Sequence, residues 1–182
     1  MSDFLTETTD LLRRTPDVIR SLLGGLAGAW TRTPDVEGGW TPKDVVGHLV
    51  TAELDNYIAR AEHILEHGTS EPFESFDRFA HVERDEHQTL DQLIERFAQL
   101  RARNLTKLGD LVGDADLDRR GLHPALGEIT MRELLATWSV HDLDHTGQIF
   151  AGMAASRDRD VGAWKRYLGV LLRRDDPAAV AG

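Results

Sequence analysis

Apolar residues recur at steps of three and four along most of this chain, which is the spacing of one buried helix face. The pattern predicts long helices over about 15–30, 42–67, 89–108 and 130–149, and a last helix over about 161–172. A leading helix over 3–14 is expected to stop near Pro16, because proline lacks a backbone donor. No stretch alternates between apolar and polar residues as a half-buried strand does, so no sheet is predicted.

The predicted helix starts carry a second signal. Thr41, Thr89 and Thr130 are each followed three residues later by Asp, Gln or Glu, the arrangement of a capping box. Pro42 also suits the first position of a helix. Four long helices with marked starts predict an all-α fold, an up-and-down four-helix bundle with an additional C-terminal helix, in one domain spanning 1–182.

The composition limits the kinds of molecule to which the chain is expected to bind. The 182 residues are 41% hydrophobic and 29% charged, as in a globular domain. The net charge is −10 and the arginines are interspersed with acids, which excludes the basic stripe of a nucleic-acid binder. The apolar run at 22–29 is short and broken by glycines, so neither a signal peptide nor a membrane span is expected.

The chain contains no cysteine. This removes disulfides, thiolate metal ligands and a cysteine nucleophile together, and it fits the cytoplasmic location that we expect. Thiol chemistry would therefore require a low-molecular-weight thiol supplied from outside the chain.

Two histidines four residues apart carry the clearest chemical signal. His141 and His145 share the apolar stripe of the fourth long helix, where side chains four apart can reach one ion. Buried imidazoles need partners, so a metal or a hydrogen-bonding network is expected to satisfy the pair. The stripe consists of Leu134, Trp138, His141, His145 and Ile149.

A third metal ligand is expected upstream, at His48. The H-D-x-x-H pattern is similar to a zinc protease motif, but beyond His145 the chain has neither Glu nor His to complete such a site. His48 lies about two turns into the predicted second helix, on the face that it shares with Val45 and Ala52. Three inward histidines would leave one coordination position open, as in catalytic sites.

The remaining histidines have weaker patterns. His63 and His67 share the four-residue spacing but lie among glutamates in the last turn of the predicted second helix, so we interpret them as structural. His81 and His87 lie in a highly charged stretch, and His123 precedes a proline in a predicted loop.

Four segments together resemble the DinB/YfiT superfamily. They are W-T-P-K-D-V-V-G-H-L at 40–49, F-D-R-F-A-H at 76–81, H-P-A-L-G-E-I-T at 123–130 and W-S-V-H-D-L-D-H-T-G-Q-I at 138–149. The resemblance implies a divalent metal, commonly zinc or nickel, on His48, His141 and His145. It also implies metal-dependent hydrolysis, or thiol-dependent transfer or isomerisation with bacillithiol, mycothiol or glutathione, although some members have no established activity.

The residues around the histidines each allow two interpretations. Gln148, three residues past His145, is a candidate for contact with substrate or bound water, or else a buried amide bonded to the backbone. Trp138 either walls the pocket or belongs to the core. Asp142 and Asp144 are expected to point about 100° away from the ligands, so neither is proposed as a general base.

Two long connections are expected near the site. The segment over 68–88 is too long for a tight turn and either covers the metal pocket or is pinned to the bundle by Phe73, Phe76 and Phe79. The loop over 113–129 is expected to contribute to the same rim.

The leading hypothesis is a metal-dependent enzyme for a small-molecule substrate, a thiol-dependent S-transferase or a hydrolase. An open metal position can bind a thiolate or lower the pKa of water, and we expect conjugation with at least one thiol. The alternative is a non-enzymatic bundle that a metal stabilises or that functions as a homodimer. A di-iron oxygenase is disfavoured, because it needs repeated Glu-x-x-His pairs.

Overall fold

A computed structural model describes residues 3–26 and 28–172. Its elements are α1 (Asp3–Leu23), α2 (Ala29–Arg32), α3 (Pro42–Asp55), α4 (Tyr57–His67), α5 (Ala80–Arg84), α6 (Leu90–Leu111), β1 (Arg120–His123), β2 (Gly127–Thr130), α7 (Met131–Ala155) and α8 (Gly169–Leu172). Short 3₁₀ turns occupy Asp114–Asp116 and Gly162–Tyr167. None of the described helices is both long and apolar enough to cross a bilayer.

The four long helices form a bundle. α1 and α3 each pack against α6 and α7, so α1 lies across the bundle from α3, and α6 lies across from α7. The capping boxes predicted at Thr41, Thr89 and Thr130 are all present, each hydroxyl accepting from the backbone N–H three residues on. Buried side chains form two clusters, one containing Trp138 and the other Phe97. The predicted all-α bundle is confirmed.

α1 continues through Pro16, so the prediction that the leading helix stops there is wrong. A proline inside a helix costs about 3 kcal/mol or more, and tertiary packing offsets that cost here. One buried stripe runs along the helix on both sides of the proline. Its members are Leu5, Leu12, Ile19 and Leu23. The helix predicted over 15–30 is accordingly divided, because α1 ends at Leu23 and α2 follows separately.

The helix predicted over 42–67 is interrupted at Asn56. This residue has φ −116° and ψ −89°, outside the helical region, so α3 ends before it and α4 begins after it. The interruption allows Tyr57 to stack on Trp138, with ring centroids 5.1 Å apart and the planes within 7°. No proline or glycine marks this position in the sequence, which is why the apolar pattern predicted one helix.

A hairpin replaces part of the loop predicted over 113–129, so the expectation of no strands is wrong. β1 pairs antiparallel with β2, and Arg120 lies opposite Thr130. Strands of only four residues are too short to show a period of two. Gly121 is required in β1, because a Cβ there would lie 2.7 Å from Ile64 and 2.8 Å from the Phe73 ring.

The connection over 68–88 is attached to both the hairpin and the bundle. The backbone N–H of Phe73 donates to the carbonyl oxygen of Leu122 at 2.9 Å, and the Phe73 ring is buried. Phe76 is half-buried and Phe79 is exposed, so only the first of the three predicted aromatic anchors is fully packed. The short helix α5 packs against α3 and ties the end of the connection to the bundle.

The last predicted helix consists of two short pieces. The 3₁₀ turn Gly162–Tyr167 and α8 replace the continuous helix expected over 161–172, and α8 packs against α7. Leu171 is buried, but Trp164 is 72% exposed, so the apolar residues of this segment do not share one buried face.

Candidate metal centre

Two helices of the bundle bring three histidines together. His48 comes from the second turn of α3, and His141 and His145 come from successive turns of α7. Each of the three residues has a nitrogen atom within 4.8 Å of the corresponding atoms of the other two. The three residues that the sequence analysis predicted as ligands therefore lie close together in the structure. No other such group occurs within 3–26 and 28–172.

The distance between the facing nitrogens of His48 and His141 fits one shared ion. Nε2 of His48 lies 3.1 Å from Nε2 of His141. Two nitrogens that bind one zinc at about 2.0–2.1 Å are about 2.8–3.4 Å apart for angles between 90° and the tetrahedral angle. The ring of His145 lies 4.3 Å from that of His141 and 4.6 Å from that of His48, between centroids.

Hydrogen bonds on the outer nitrogens orient two of the rings. Nδ1 of His48 lies 3.2 Å from the carbonyl oxygen of Arg78, and Nδ1 of His145 lies 2.9 Å from Oε1 of Gln148. An imidazole that donates through Nδ1 presents the lone pair of Nε2, which is how acceptors around metal sites set the tautomer of their ligands. Gln148 therefore contacts a histidine of the group.

All three histidines are held in the neutral form. Burial, together with the repulsion that a protonated His145 would exert, lowers the pKa of His48 to about 3 and that of His141 to about 2. Burial also lowers the pKa of His145, although its hydrogen bond with Gln148 acts in the opposite direction. Neutral imidazoles are the form that binds metal.

The donors fit a divalent ion of the kind that prefers imidazole nitrogens, such as zinc or nickel. The facing Nε2 atoms of His48 and His141 need a proton or a cation between them. Nδ1 of His141 is buried without a hydrogen-bond partner, so the group is not satisfied by protein hydrogen bonds alone. The protein contributes three ligands here, which leaves a position for substrate or water.

A cavity of about 590 Å³ opens onto the three histidines. Aromatic and aliphatic side chains form most of its wall, from Trp40, Phe76, Ala136 and Val140. Its polar lining includes Asn56, Arg78, Thr137 and Asp144. No described residue of the loop over 113–129 lines the cavity, so the prediction that this loop joins the rim is wrong. The 68–88 connection does cover part of the site.

Comparison with known proteins identifies the family of this chain and a structure with a similar fold. A family model of the DinB superfamily matches residues 11–149. The chain belongs to the DinB superfamily. A similar solved structure is YfiT from Bacillus subtilis, described as a probable metal-dependent hydrolase with an unusual four-helix bundle topology. The match has a TM-score of 0.71 at 21% identity and covers 88% of this chain and 90% of that chain, which shows a shared fold. No curated protein matches the chain.

The other histidines of this DinB-superfamily chain lie apart from the cavity lining. His63 and His67 have ring centroids 4.7 Å apart, and no third ligand from the described part of the chain joins them. Nε2 of His63 lies 2.9 Å from the carbonyl oxygen of Glu71. His87 is exposed, and Nδ1 of His123 accepts backbone hydrogen bonds within the hairpin turn.

His81 lies closer to the centre than the charged sequence around it suggested. It is buried, and its ring centroid is 6.0 Å from that of His48. Its Nδ1 lies 3.1 Å from the carbonyl oxygen of Arg78, the same atom that His48 contacts. Its proximity depends on α5, a short helix that the apolar pattern did not predict.

A buried ionic network lies directly behind the DinB-type histidines. Arg101 donates to Oδ2 and Oδ1 of Asp142 at 2.6 and 2.9 Å and through Nε to Oε1 of Glu53 at 2.9 Å. Trp138 donates to the same Glu53 oxygen at 3.1 Å, so it belongs to the core and does not line the cavity. Burial alone would lower the pKa of Arg101, but the two carboxylates outweigh it and raise that pKa.

Asp142 and Asp144 lie in different surroundings, a difference that the helical spacing did not predict. Asp142 is 1% exposed and points into the bundle core, whereas Asp144 is exposed and lines the cavity. α7 has neighbours on several sides, because α1, α3 and α4 all pack against it. A helix covered in this way buries residues outside its main apolar stripe.

Proposed function

We propose that this chain is a metal-dependent enzyme that hydrolyses a small molecule at the three-histidine centre. The observation that carries the proposal is that neutral His48, His141 and His145 lie together in the lining of the 590 Å³ cavity. Small-molecule sites have volumes of about 300–1,000 Å³. The description of YfiT as a probable metal-dependent hydrolase supports the same reaction class.

The three histidines would hold the ion through the nitrogens that face one another. A divalent ion at this position, which we propose to be zinc or nickel, supplies Lewis acidity that polarises a substrate and lowers the pKa of water. The Arg78 carbonyl and the Gln148 amide keep two of the rings in the ligating tautomer. The apolar part of the wall can pack against the apolar part of a substrate.

Asp144 is the proposed general base, although its position on the helix relative to the ligands did not by itself suggest this role. It is the one carboxylate among the described residues that line the cavity, and it precedes His145 on α7. As a carboxylate it can accept the proton of an attacking water and return that proton to the leaving group. A general base of this kind typically contributes about 10²–10⁴-fold to the rate.

Thiol-dependent S-transfer is the second candidate. The size of the cavity favours it, since about 590 Å³ can hold a small electrophile beside a second reactant. The chain has no cysteine, so the thiol would be a low-molecular-weight one such as bacillithiol, mycothiol or glutathione. We propose a cytoplasmic location for either reaction. One chain supplies all three histidines, so a homodimer is not needed to complete the centre.

The two reactions can be separated in one set of assays. Protein purified without a metal-affinity tag is analysed for metals, stripped with a chelator and reloaded with zinc or nickel. A panel of esters, amides and electrophiles is then tested with and without each thiol. We expect turnover that requires the metal, continues without thiol and falls about 100-fold or more in Asp144→Asn. Turnover that requires a thiol would favour the transferase. A fully metallated protein without any turnover would favour the non-enzymatic bundle.

A further inference from the structure

Arg78 is the one cation among the described residues that line the cavity. Its guanidinium lies over the ring of Trp40 at 5.2 Å and over the ring of Phe79 at 5.1 Å. Within 3–26 and 28–172 it makes no ion pair and no side-chain hydrogen bond, so its donors remain free for a ligand. Arginine in this state is suited to binding carboxylate, sulfonate or phosphate groups through paired hydrogen bonds.

The backbone carbonyl of Arg78 is also part of the site. The carbonyl oxygen lies within hydrogen-bond distance of Nδ1 of both His48 and His81, at 3.2 and 3.1 Å. One residue thus orients a histidine of the metal centre with its carbonyl and presents a positive charge to the same cavity. An anchored guanidinium loses less conformational entropy when it binds than a mobile one does.

We propose that Arg78 forms an anion subsite and that the substrate is an amphipathic small-molecule anion. Its apolar body would pack against Phe76 and Val140, its anionic group would bind Arg78, and its reacting bond would face the histidines. The assignment of the reacting end rests on the proposed function, whereas the subsite itself does not require the metal.

The described lining of the cavity carries one charged side chain of each sign, Arg78 and Asp144. Arg78 is therefore the group through which the protein itself can bind an anion. A divalent ion on the histidines would add positive charge, so the zinc-loaded protein should bind an anionic ligand more tightly than the metal-depleted protein does.

Two dyes of similar shape test the subsite. 8-Anilinonaphthalene-1-sulfonate carries a sulfonate, and N-phenyl-1-naphthylamine has the same aromatic framework without the charge. Both are titrated by fluorescence into metal-depleted and zinc-loaded protein. In both forms Arg78→Gln should weaken sulfonate binding about five-fold or more and leave the affinity for the neutral dye within about two-fold. Arg78→Lys should restore part of the affinity, and Asp144→Asn should strengthen sulfonate binding.

The matched control is Arg103→Gln, which removes an exposed charge from α6 away from the cavity. It should leave the affinity for both dyes unchanged. If Arg78→Gln weakens both dyes equally, or neither, Arg78 only packs on Trp40 and the proposal is overturned. Unfolding midpoints of both variants check that the fold is intact. Metal content is measured separately, so a protein that binds no zinc contradicts the proposed function, while the metal-depleted titration still decides the subsite.

Discussion

Arg101 donates a hydrogen bond from Nη1 to the carbonyl oxygen of Leu12 at 2.7 Å. In a regular helix that carbonyl would accept from the residue four positions later, which is Pro16 and has no N–H. The guanidinium of α6 thus satisfies the acceptor that the proline leaves free in α1. The same side chain binds Glu53 of α3 and Asp142 of α7, so one buried cation connects all four helices of the bundle.

Replacing Arg101 should be among the most damaging single changes in the chain. Arg101→Met retains much of the side-chain volume but leaves two buried carboxylates and the Leu12 carbonyl without their partner. Removing one member of a buried ionic network typically costs about 3–5 kcal/mol. We expect a loss of that size in the free energy of unfolding, measured with urea. Arg103→Met, at an exposed position two residues later, should change it by less than about 0.5 kcal/mol. Similar losses in both variants would contradict this role of the network.

Replacing two glycines with alanine should change the stability of the protein in opposite directions. In Gly121→Ala the new methyl group would lie 2.7 Å from Ile64 and 2.8 Å from Phe73, so hairpin and loop must separate. We expect a loss of about 1–3 kcal/mol, as for other overpacked sites. Gly109 lies inside α6, and no atom outside the neighbouring helix backbone lies within 4 Å of the added methyl group. Gly109→Ala should therefore stabilise the protein by about 0.4–1 kcal/mol. Thermal unfolding of both variants measures the two effects, and stabilisation by Gly121→Ala would refute the packing argument.

Substituting a proposed metal ligand should lower the zinc affinity, whereas substituting one of the other histidines should not. His48→Ala, His141→Ala and His145→Ala should each sharply lower the zinc affinity of a chain that otherwise binds about one ion, because each change removes one donor of the shared centre. His63→Ala and His67→Ala make the matched control, because this pair also has a four-residue spacing but lacks a third ligand among the described residues. Competition with a chromogenic chelator measures the affinities. Unchanged zinc binding in His48→Ala would remove α3 from the site.

The metal-free protein should lose stability on acidification. The pKa of His48 lies near 3 and that of His141 near 2 in the folded chain, against an ordinary value of 6.5. The unfolded state therefore binds more protons once the pH falls below about 6.5, and the free energy of unfolding decreases as the pH approaches 3. Each proton contributes at most about 1.4 kcal/mol per pH unit. Urea titrations between these limits should show a shallower decline in His141→Asn than in the unmodified protein. Parallel curves would contradict the assignment of the neutral form to His141.

The bundle and the three histidines could be predicted because both depend on local spacing. Capping boxes fixed where α3, α6 and α7 begin, and the helical repeat then determined the phase of His48, His141 and His145. The hairpin, in contrast, is held in place by contacts with residues that are distant in sequence. The close approach of Gly121 to Phe73 is one such contact, and no short repeat in the sequence indicates it.

Polar and charged residues on apolar helix faces are a sequence signal of the buried network that the pattern of apolar residues alone does not include. Arg101 and Asn104 lie on the buried face of α6, at helical spacing from Phe97 and Leu108. A polar or charged residue at such a position implies a buried hydrogen-bonding partner. The identity of that partner, and the placement of Arg78 over the cavity, depend on how the helices and the 68–88 connection pack, which spacing alone does not determine.

The hydrogen bond between Gln148 and His145 should control metal affinity without any contact between Gln148 and the ion. Oε1 of Gln148 lies 2.9 Å from Nδ1 of His145 and fixes the ring with Nε2 free to bind. Gln148→Leu removes the acceptor but preserves much of the volume, and loss of such a partner typically lowers metal affinity about 10–100-fold. Gln148→Glu retains an acceptor and adds a negative charge, which makes the imidazole a stronger donor, so its zinc affinity should equal or exceed that of the unmodified protein.

Both variants should keep a stoichiometry of about one ion per chain at saturating zinc, because the three ligands remain. Isothermal titration calorimetry gives affinity and stoichiometry together. Equal affinities in the Leu and Glu variants would show that the ring is oriented by packing alone.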